Sequence, residues 1–213
     1  MERIHWILLA LFSAVLGWSA YGNADYFTWA LEVAPGGLGV AVLALTFKRF
    51  QFSRLAYVVI LLHCAVLFVG AKYTYAKVPL FDWLADSFDW PRNNYDKVGH
   101  FMQGFGPAVI AREVMIRLHA VNGGKWLNCF VLSFCLAVSA AYELVEWFVA
   151  EAIGDDAEAF LGTQGYVWDT QSDMLFALIG ALCMLLFFSR VHDRSIEHSR
   201  ESGYNKLPSS SAW

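Results

Sequence analysis

Three pairs of acidic or imidazole side chains stand in or beside apolar stretches of this sequence, at spacings that place each pair on one helix face. The pairs are Asp96 with His100, Glu143 with Glu146, and Asp169 with Asp173. Burying a carboxylate inside a membrane is costly unless it is paired, protonated or hydrated, so such groups mark functional sites. One imidazole with several carboxylates is a ligand set that helix bundles use for divalent metals. The same groups would also serve as a proton relay.

These spacings lead us to predict a divalent metal site in a membrane-embedded hydrolase that acts on a lipid or another envelope substrate. The predicted metal ligands are His100, Glu143, Asp173 and Asp169, and the predicted general base is Glu146 or Asp96. Such a base takes a proton from metal-bound water. Because Glu143 and Glu146 differ by about 60° around a helix axis, spacing alone does not decide which of them points inward.

Two other functions use the same residues. One is a small-solute or proton-coupled transporter, and the other is a structural or accessory protein whose polar groups fasten helices together. The sequence contains no HExxH or HxxxH motif, so the pattern is not specific for one class of metal enzyme. In the structural alternative, the glutamates pair with Lys, Tyr or His, and four charges lie in water at the rim: Arg92, Asp96, Lys97 and Asp169.

Two further polar sites have simple structural interpretations. Asp169 follows a turn with two glycines, so it is suited to cap the helix that begins there. Arg112 and Glu113 lie deeper in their apolar block, where we expect an internal ion pair or an arginine that extends to the interface.

Six apolar blocks position these residues, and each is about as long as a helix that crosses ~30 Å of hydrocarbon. They cover residues 5–21, 29–47, 55–75, 98–117, 127–150 and 171–189. The fourth block is so polar that it must lie inside a bundle. Residues 78–90 mix aromatic and acidic side chains, which indicates a short interfacial segment.

The composition supports one membrane domain. Of 213 residues, 58% are hydrophobic and 16% are charged, and the basic residues are dispersed, which argues against nucleic acid as a partner and leaves membrane lipids. The four cysteines form no CxxC pair and fit buried free thiols. We predict an all-α fold, a polytopic transmembrane bundle of about six spans over residues 1–190. A polar cytoplasmic tail follows at 191–213, with one further turn of helix.

Charge distribution predicts the orientation. Eleven of the fifteen Lys and Arg residues fall on the side that holds both termini, so the positive-inside rule places both termini in the cytoplasm. The loop 151–170 has five acidic and no basic residues and is expected outside. The first block follows Arg3 but is long for a signal peptide, so we expect a retained anchor. His100 and Asp173 then lie about 6 Å below their helix starts and Glu143 about 12 Å below its helix end, all in the outer leaflet.

The sequence resembles the YjdF-like bacterial inner-membrane proteins over most of its length. The matching runs are Tyr95-Asp96, Gly99-His100-Phe101, Gln103-Gly104-Phe105, Pro107, Arg112-Glu113, Glu143, Glu146-Trp147, Phe160-Leu161-Gly162-Thr163-Gln164-Gly165, Trp168-Asp169-Thr170-Gln171 and Asp173-Met174. This resemblance implies a location in the bacterial inner membrane and the fold, and it implies no reaction. The run from Asp96 to His100 is also similar to VanZ-like membrane proteins over five residues.

Overall fold

The computed structural model describes residues 2–23, 25–154 and 163–201 as a bundle of helices. In chain order its elements are α1 (Arg3–Ala20), α2 (Tyr26–Thr46), α3 (Arg54–Lys72), α4 (Pro79–Phe88), α5 (Tyr95–Arg117), α6 (Lys125–Ile153), α7 (Asp169–Cys183), a π-helical turn (Met184–Phe188) and α8 (Ser189–Glu201). The described part of the chain holds no strand. The predicted all-α class is confirmed.

Five helical segments are long and apolar enough to cross a membrane. They are Arg3–Ala20, Tyr26–Thr46, Arg54–Lys72, Lys125–Ala152 and Asp169–Ser199. The remaining long helix, α5, has 23 residues and is therefore about 35 Å long, but it is too polar to qualify by hydropathy. It packs against α3, α6 and α7 instead of facing lipid on all sides. The bundle thus has five apolar spans and one polar interior helix, as the sequence predicted.

The outer surface of the bundle is apolar. Large side chains such as Trp6, Leu45 and Phe187 point away from the protein, with 59%, 84% and 72% of their surface exposed. A surface of this kind is stable only when lipid covers it. The short helix α4 occupies the predicted interfacial segment, where Leu80, Trp83 and Phe88 are exposed.

Local chemistry explains where several helices begin. The Asp25 carboxylate accepts a hydrogen bond from the Phe27 N–H at 2.9 Å and caps α2. The Ser53 hydroxyl caps α3 in the same way, with the Ala56 N–H 3.3 Å away. Pro79 starts α4, where its missing N–H is not needed.

Contacts between distant segments define the end of the bundle that we call the termini end. Glu2 forms an ion pair with Arg54 at 3.0 Å, and the Leu55 N–H donates to the Ser195 hydroxyl at 3.2 Å. Arg112 forms an ion pair with Asp193 at 2.7 Å. The start of α1, the start of α3, the end of α5 and α8 therefore meet at this end. That arrangement agrees with an even number of spans, whereas the side of the membrane on which the termini lie stays a prediction.

Two features differ from the sequence expectations. Trp168 occupies the cap position of α7 and no side chain caps the helix, so Asp169 is the first helical residue and its carboxylate points elsewhere. The last span continues through the π-helical turn into α8 as far as Glu201, about two turns further than expected, because His192, Ile196 and Ser199 are buried against the bundle. Residues 155–162 of the predicted outer loop and residues 202–213 of the predicted tail lie outside the described residues.

An apolar core fills the half of the bundle nearest the termini end. Its buried members come from α3, α5, α6, α7 and the π-helical turn, with Phe52 beside them: Phe52, Ala56, Val59, Ala108, Val109, Leu127, Val131, Cys135, Ala181, Met184 and Leu185. Along α5 this layer follows the polar residues of the first two turns and precedes Glu113. The polar groups of α5 are therefore divided into two separate sets.

Candidate functional site

Two glycines bring α5 and α7 into close contact at the site. A Cβ atom at Gly104 would overlap the backbone carbonyl oxygen of Ala177, and one at Gly180 would overlap that of Phe101. Because neither helix has a side chain at the crossing, the backbones approach as small residues allow in membrane bundles. This contact sets the polar faces of the two helices against each other.

An ion-pair cluster forms where the first turns of α5 and α7 meet. Lys97 Nζ lies 2.6 Å from an oxygen of Asp173, 2.8 Å from one of Asp169 and 3.1 Å from one of Asp96. Arg92 lies 2.8 Å from Asp169 and also forms an ion pair with Asp96. Three carboxylates thus surround two cations, and all five residues have little exposed surface.

Arg92 is the member of this cluster that precedes α5. Burial alone would lower the pKa of its guanidinium, but the carboxylates of Asp96 and Asp169 hold that pKa above its ordinary value. Its Nη1 also donates to the Thr163 carbonyl at 2.8 Å, so Arg92 ties the segment before α7 to α5. Arg92 therefore both neutralises Asp96 and Asp169 and holds the segment before α7 against the start of α5.

The predicted ligands His100, Glu143 and Asp173 converge beside this cluster. One ligand atom from each of the three lies within 4.8 Å of the others. His100 Nε2 is 3.6 Å from Asp173 Oδ2, and His100 Nδ1 is 3.8 Å from Glu143 Oε1. These distances are too long for hydrogen bonds. Two ligand atoms in a tetrahedral metal site with bonds of ~2.0–2.2 Å lie about 3.4 Å apart, which is close to the 3.6 Å between His100 Nε2 and Asp173 Oδ2.

Gln103 is placed to orient the histidine for a metal. Its Oε1 lies 2.9 Å from His100 Nδ1, a contact that is a hydrogen bond in the tautomer with the proton on Nδ1, since an amide oxygen only accepts. Nε2 then presents its lone pair towards Asp173. Metal-binding histidines commonly have their second nitrogen oriented by a neighbouring acceptor in this way.

Glu143 has an oxygen that the described residues leave unsatisfied. Its Oε1 is buried and has no hydrogen-bond partner among them. A buried carboxylate oxygen without a partner is unfavourable, and it faces His100. The oxygen is therefore placed to accept a ligand or an ion.

A cavity of about 160 Å³ adjoins His100. Its lining comes from α2, α3, α5 and α6 and the segment after α3: Glu32, Pro35, His63, Leu67, Tyr75, Asp96, Gly99, His100, Gln103, Pro107, Val138, Tyr142 and Glu146. The volume is enough for several water molecules or the end of a substrate. Glu146 lies in this wall, so of the two glutamates Glu143 contacts His100 and Glu146 faces the cavity.

Several of these residues were missed by the sequence interpretation. Glu32 and His63 stand alone in otherwise apolar helices, where the cost of burial was a usable signal. Tyr75, Tyr142 and Gln103 give a weaker signal, because their side chains are uncharged and cost less to bury than a carboxylate. Only packing shows that they face the same cavity as His100.

The remaining predicted site residues, the ligand Asp169 and the alternative base Asp96, belong to the ion-pair cluster. Asp96, Asp169 and Asp173 offer a second set of three oxygens within 4.8 Å of one another. Lys97 Nζ lies among these oxygens, so a lysine already fills the place of a cation. The role of Asp96 as a base and that of Asp169 as a ligand stay predictions.

A larger groove of about 650 Å³ lies on the other side of Lys97. It is lined by Phe81, Trp90, Pro91, Arg92, Asn94, Lys97, Val98, Phe101, Tyr166, Ser172 and Phe176. Its polar lining is near the helix starts, and Phe101 and Phe176 line it one to two turns deeper. The groove and the metal-ligand trio share the Lys97–Asp173 ion pair as a wall.

A second polar network lies at the termini end, beyond the apolar core. Glu113 is fully buried and accepts from the Ser53 N–H and hydroxyl, each at 2.7 Å, while Arg117 lies 2.9 Å and His192 3.2 Å away. Arg112 forms an ion pair with Asp193, and Glu113 forms one with Arg117. The expected internal ion pairing is therefore present, but Arg112 and Glu113 pair with other residues and not with each other. This network fastens α3, α5 and α8 together.

Comparisons with known proteins agree with a membrane bundle. The family model described as a predicted membrane protein (DUF2238) matches residues 4–194. The inner membrane protein YjdF of Escherichia coli (strain K12) is 45% identical over 190 residues, which is 89% of this chain and 90% of that protein. No solved structure is significantly similar. The chain is an integral, multi-pass protein of the bacterial inner membrane, and it belongs to the DUF2238 family.

Proposed function

We propose that this protein is a membrane-embedded hydrolase that uses one divalent metal ion. His100 Nε2 and the carboxylates of Glu143 and Asp173 hold the ion, and Glu146 acts as the general base. The observation that carries the proposal is the buried, unsatisfied Oε1 of Glu143, together with the convergence of one ligand atom each from His100, Glu143 and Asp173 within 4.8 Å of one another. A structural ion pair would bring these atoms closer together.

The geometry leaves a place for the reaction. Three protein ligands leave an open coordination position for water, and the adjoining cavity supplies the space for it. A divalent ion held by these residues would supply a Lewis acid that lowers the pKa of water. Glu146 is placed to take the proton from a water that attacks a carbonyl or phosphoryl centre and to return it to the leaving group as the scissile bond breaks. The ion pairs of Asp96 with Arg92 and Lys97 make it the weaker candidate for the base.

The groove beside Lys97 supports an amphiphilic substrate. Aromatic and aliphatic side chains line its deeper part and polar ones its upper part, which is the gradient that a lipid presents. A headgroup at the level of Lys97 would be separated from the metal ligands only by the carboxylate of Asp173.

Proton-coupled transport is the second candidate, and the buried carboxylates of the cavity favour it. A carrier also needs a route from the cavity to the opposite side of the membrane. Among the described residues, the buried members of the apolar core between the cavity and the Glu113 network include no carboxylate, ammonium, guanidinium or imidazole group that could carry a proton along such a route. This arrangement supports hydrolysis at one end of the bundle over transport.

The proposal is tested by the metal content of the purified protein. We expect about one zinc or manganese ion per chain when no chelator is used, and a loss of at least about tenfold in affinity in His100→Ala, Glu143→Gln and Asp173→Asn. Asp86→Asn, an exposed carboxylate on α4, is the matched control and should bind as the parent does. A parent protein that neither contains nor binds either ion would refute the metal site.

A second readout addresses the reaction. The metal-loaded protein, incubated with lipids extracted from bacterial inner membranes, should produce hydrolysis products that mass spectrometry detects. Glu146→Gln should retain the metal and lose about 10²–10⁴-fold in rate. Products that appear equally with Glu146→Gln or His100→Ala would exclude hydrolysis at this site.

A further inference from the structure

We infer that the wall of the cavity formed by Glu32, Tyr75 and Tyr142 binds an ammonium group, so that the substrate carries an amine. The part of this inference that concerns the substrate rests on the proposed hydrolase function. The presence of a cation site at Glu32 does not depend on that function. Glu32 lies in α2, is only 4% exposed and lines the cavity. Its carboxylate is the starting point of the argument.

Among the described residues, Glu32 is a buried carboxylate without a cationic partner. The ion pairs of the described residues do not include it. The Tyr142 hydroxyl lies 3.5 Å from its Oε2, which is a weak hydrogen bond at best. A buried charge is expected to have a compensating charge, and the open space beside Glu32 is the cavity.

Tyr75 is held against this cavity at a cost in backbone conformation. Thr74 and Tyr75 both adopt the left-handed backbone conformation, each with a φ of 52°, which is rare for residues other than glycine and asparagine. A Cβ at Gly70 would overlap the Tyr75 ring, and one at Gly99 would come within 3.0 Å of it. Two glycines thus make room for a ring that a strained turn directs between α3 and α5.

The residues of this wall select the class of ligand. An anion is excluded by the carboxylates of Glu32 and Glu146, which line the same cavity. A second metal lacks ligands, because Glu32 belongs to neither of the two groups of three ligating residues in the described structure. An ammonium group needs two or three acceptors, which the Glu32 carboxylate and the tyrosine hydroxyls supply, and tyrosine rings also attract cations.

The size of the cavity connects the two sites. His100 and Glu32 both line a space of about 160 Å³, so an ammonium group bound at Glu32 would stand only a few bonds from a group at the metal. The substrate class that fits is an amphiphile with an amine close to the scissile carbonyl or phosphoryl group.

Propylammonium chloride is a suitable probe, with 1-propanol as its uncharged counterpart at the same ionic strength. The thermal stability of the full chain in detergent should rise saturably with propylammonium and not with propanol, because a ligand stabilises the state that it binds. Glu32→Gln, which keeps the side-chain shape, should weaken propylammonium binding by about tenfold or more, and Tyr142→Phe by a few fold. Glu151→Gln, an exposed glutamate on α6, is the matched control and should bind as the parent does.

His100→Ala separates this inference from the proposed metal function. It should lose the metal and still bind propylammonium, so a failure of the metal site leaves the amine site intact. Equal effects of propylammonium and propanol on the parent would overturn the inference. Undiminished propylammonium binding in Glu32→Gln would overturn it as well, since the carboxylate is the proposed counterion.

Discussion

Lys97 has a larger role than its position in the sequence indicates. It stands next to polar residues at the start of a helix, which fits a charge in water at the rim. In the structure its ammonium group lies between three aspartates and is largely buried. Without it, Arg92 would be the only Lys or Arg among the described residues that pairs with Asp96 or Asp169, and Asp173 would have neither. Lys97 therefore determines whether α5 and α7 can carry three carboxylates to the same place.

We predict that Lys97→Met destabilises the protein by about 3–5 kcal/mol, because removal of one partner leaves buried charge without compensation. Unfolding by titration with sodium dodecyl sulfate in mixed micelles measures the change. Lys77→Met is the control, since Lys77 is exposed and should be nearly neutral. Equal effects of the two substitutions would mean that the cluster is hydrated and does not hold the helices together.

Helix α5 combines low hydropathy with a central position. Its polar residues make no stable contact with lipid, so it is stable only where α3, α6 and α7 cover it. The contact with α7 is the closest of these because Gly104 and Gly180 remove side chains from the crossing. Since the metal ligands and the ion-pair cluster come from both helices, this spacing controls the site.

At this scale we predict that Gly104→Ala separates α5 from α7 and costs about 1–3 kcal/mol, because the new methyl group meets a backbone carbonyl that cannot move aside. Metal affinity should fall together with stability. The same substitution at Gly37 of α2, where a Cβ has no neighbour within 4 Å, should be neutral or stabilising. Unchanged metal binding in Gly104→Ala would show that the site does not depend on this crossing.

Across the whole molecule, the two polar sets of α5 lie at opposite ends of the bundle with an apolar core between them. The Glu113 network holds the termini end together, whereas the His100 trio and its cavity belong to the other end. The distribution of basic residues predicts that the termini end lies in the cytoplasm. With that orientation, the proposed site would act on the outer leaflet.

Accessibility to a membrane-impermeant thiol reagent tests this orientation. Val167→Cys, at an exposed position before α7, should react in intact cells whose outer membrane is permeable to the reagent, and Asn122→Cys, between α5 and α6, only after lysis. The parent, whose four cysteines lie in the membrane helices, gives the blank. The reverse pattern would place the site on the cytoplasmic side.

The sequence by itself determined the membrane helices and the polar interior helix, since hydropathy and spacing are local properties of the chain. It also identified His100, Glu143 and Asp173 as candidate ligands, because burying a carboxylate or an imidazole in an apolar helix is costly however the helices are arranged. Tertiary structure alone decided that Glu143 and not Glu146 contacts His100, that Lys97 neutralises the aspartates, and that Glu32 joins the cavity. Those contacts depend on how far each helix is rotated about its own axis. Close packing at Gly104 and Gly180 fixes that rotation for α5 and α7.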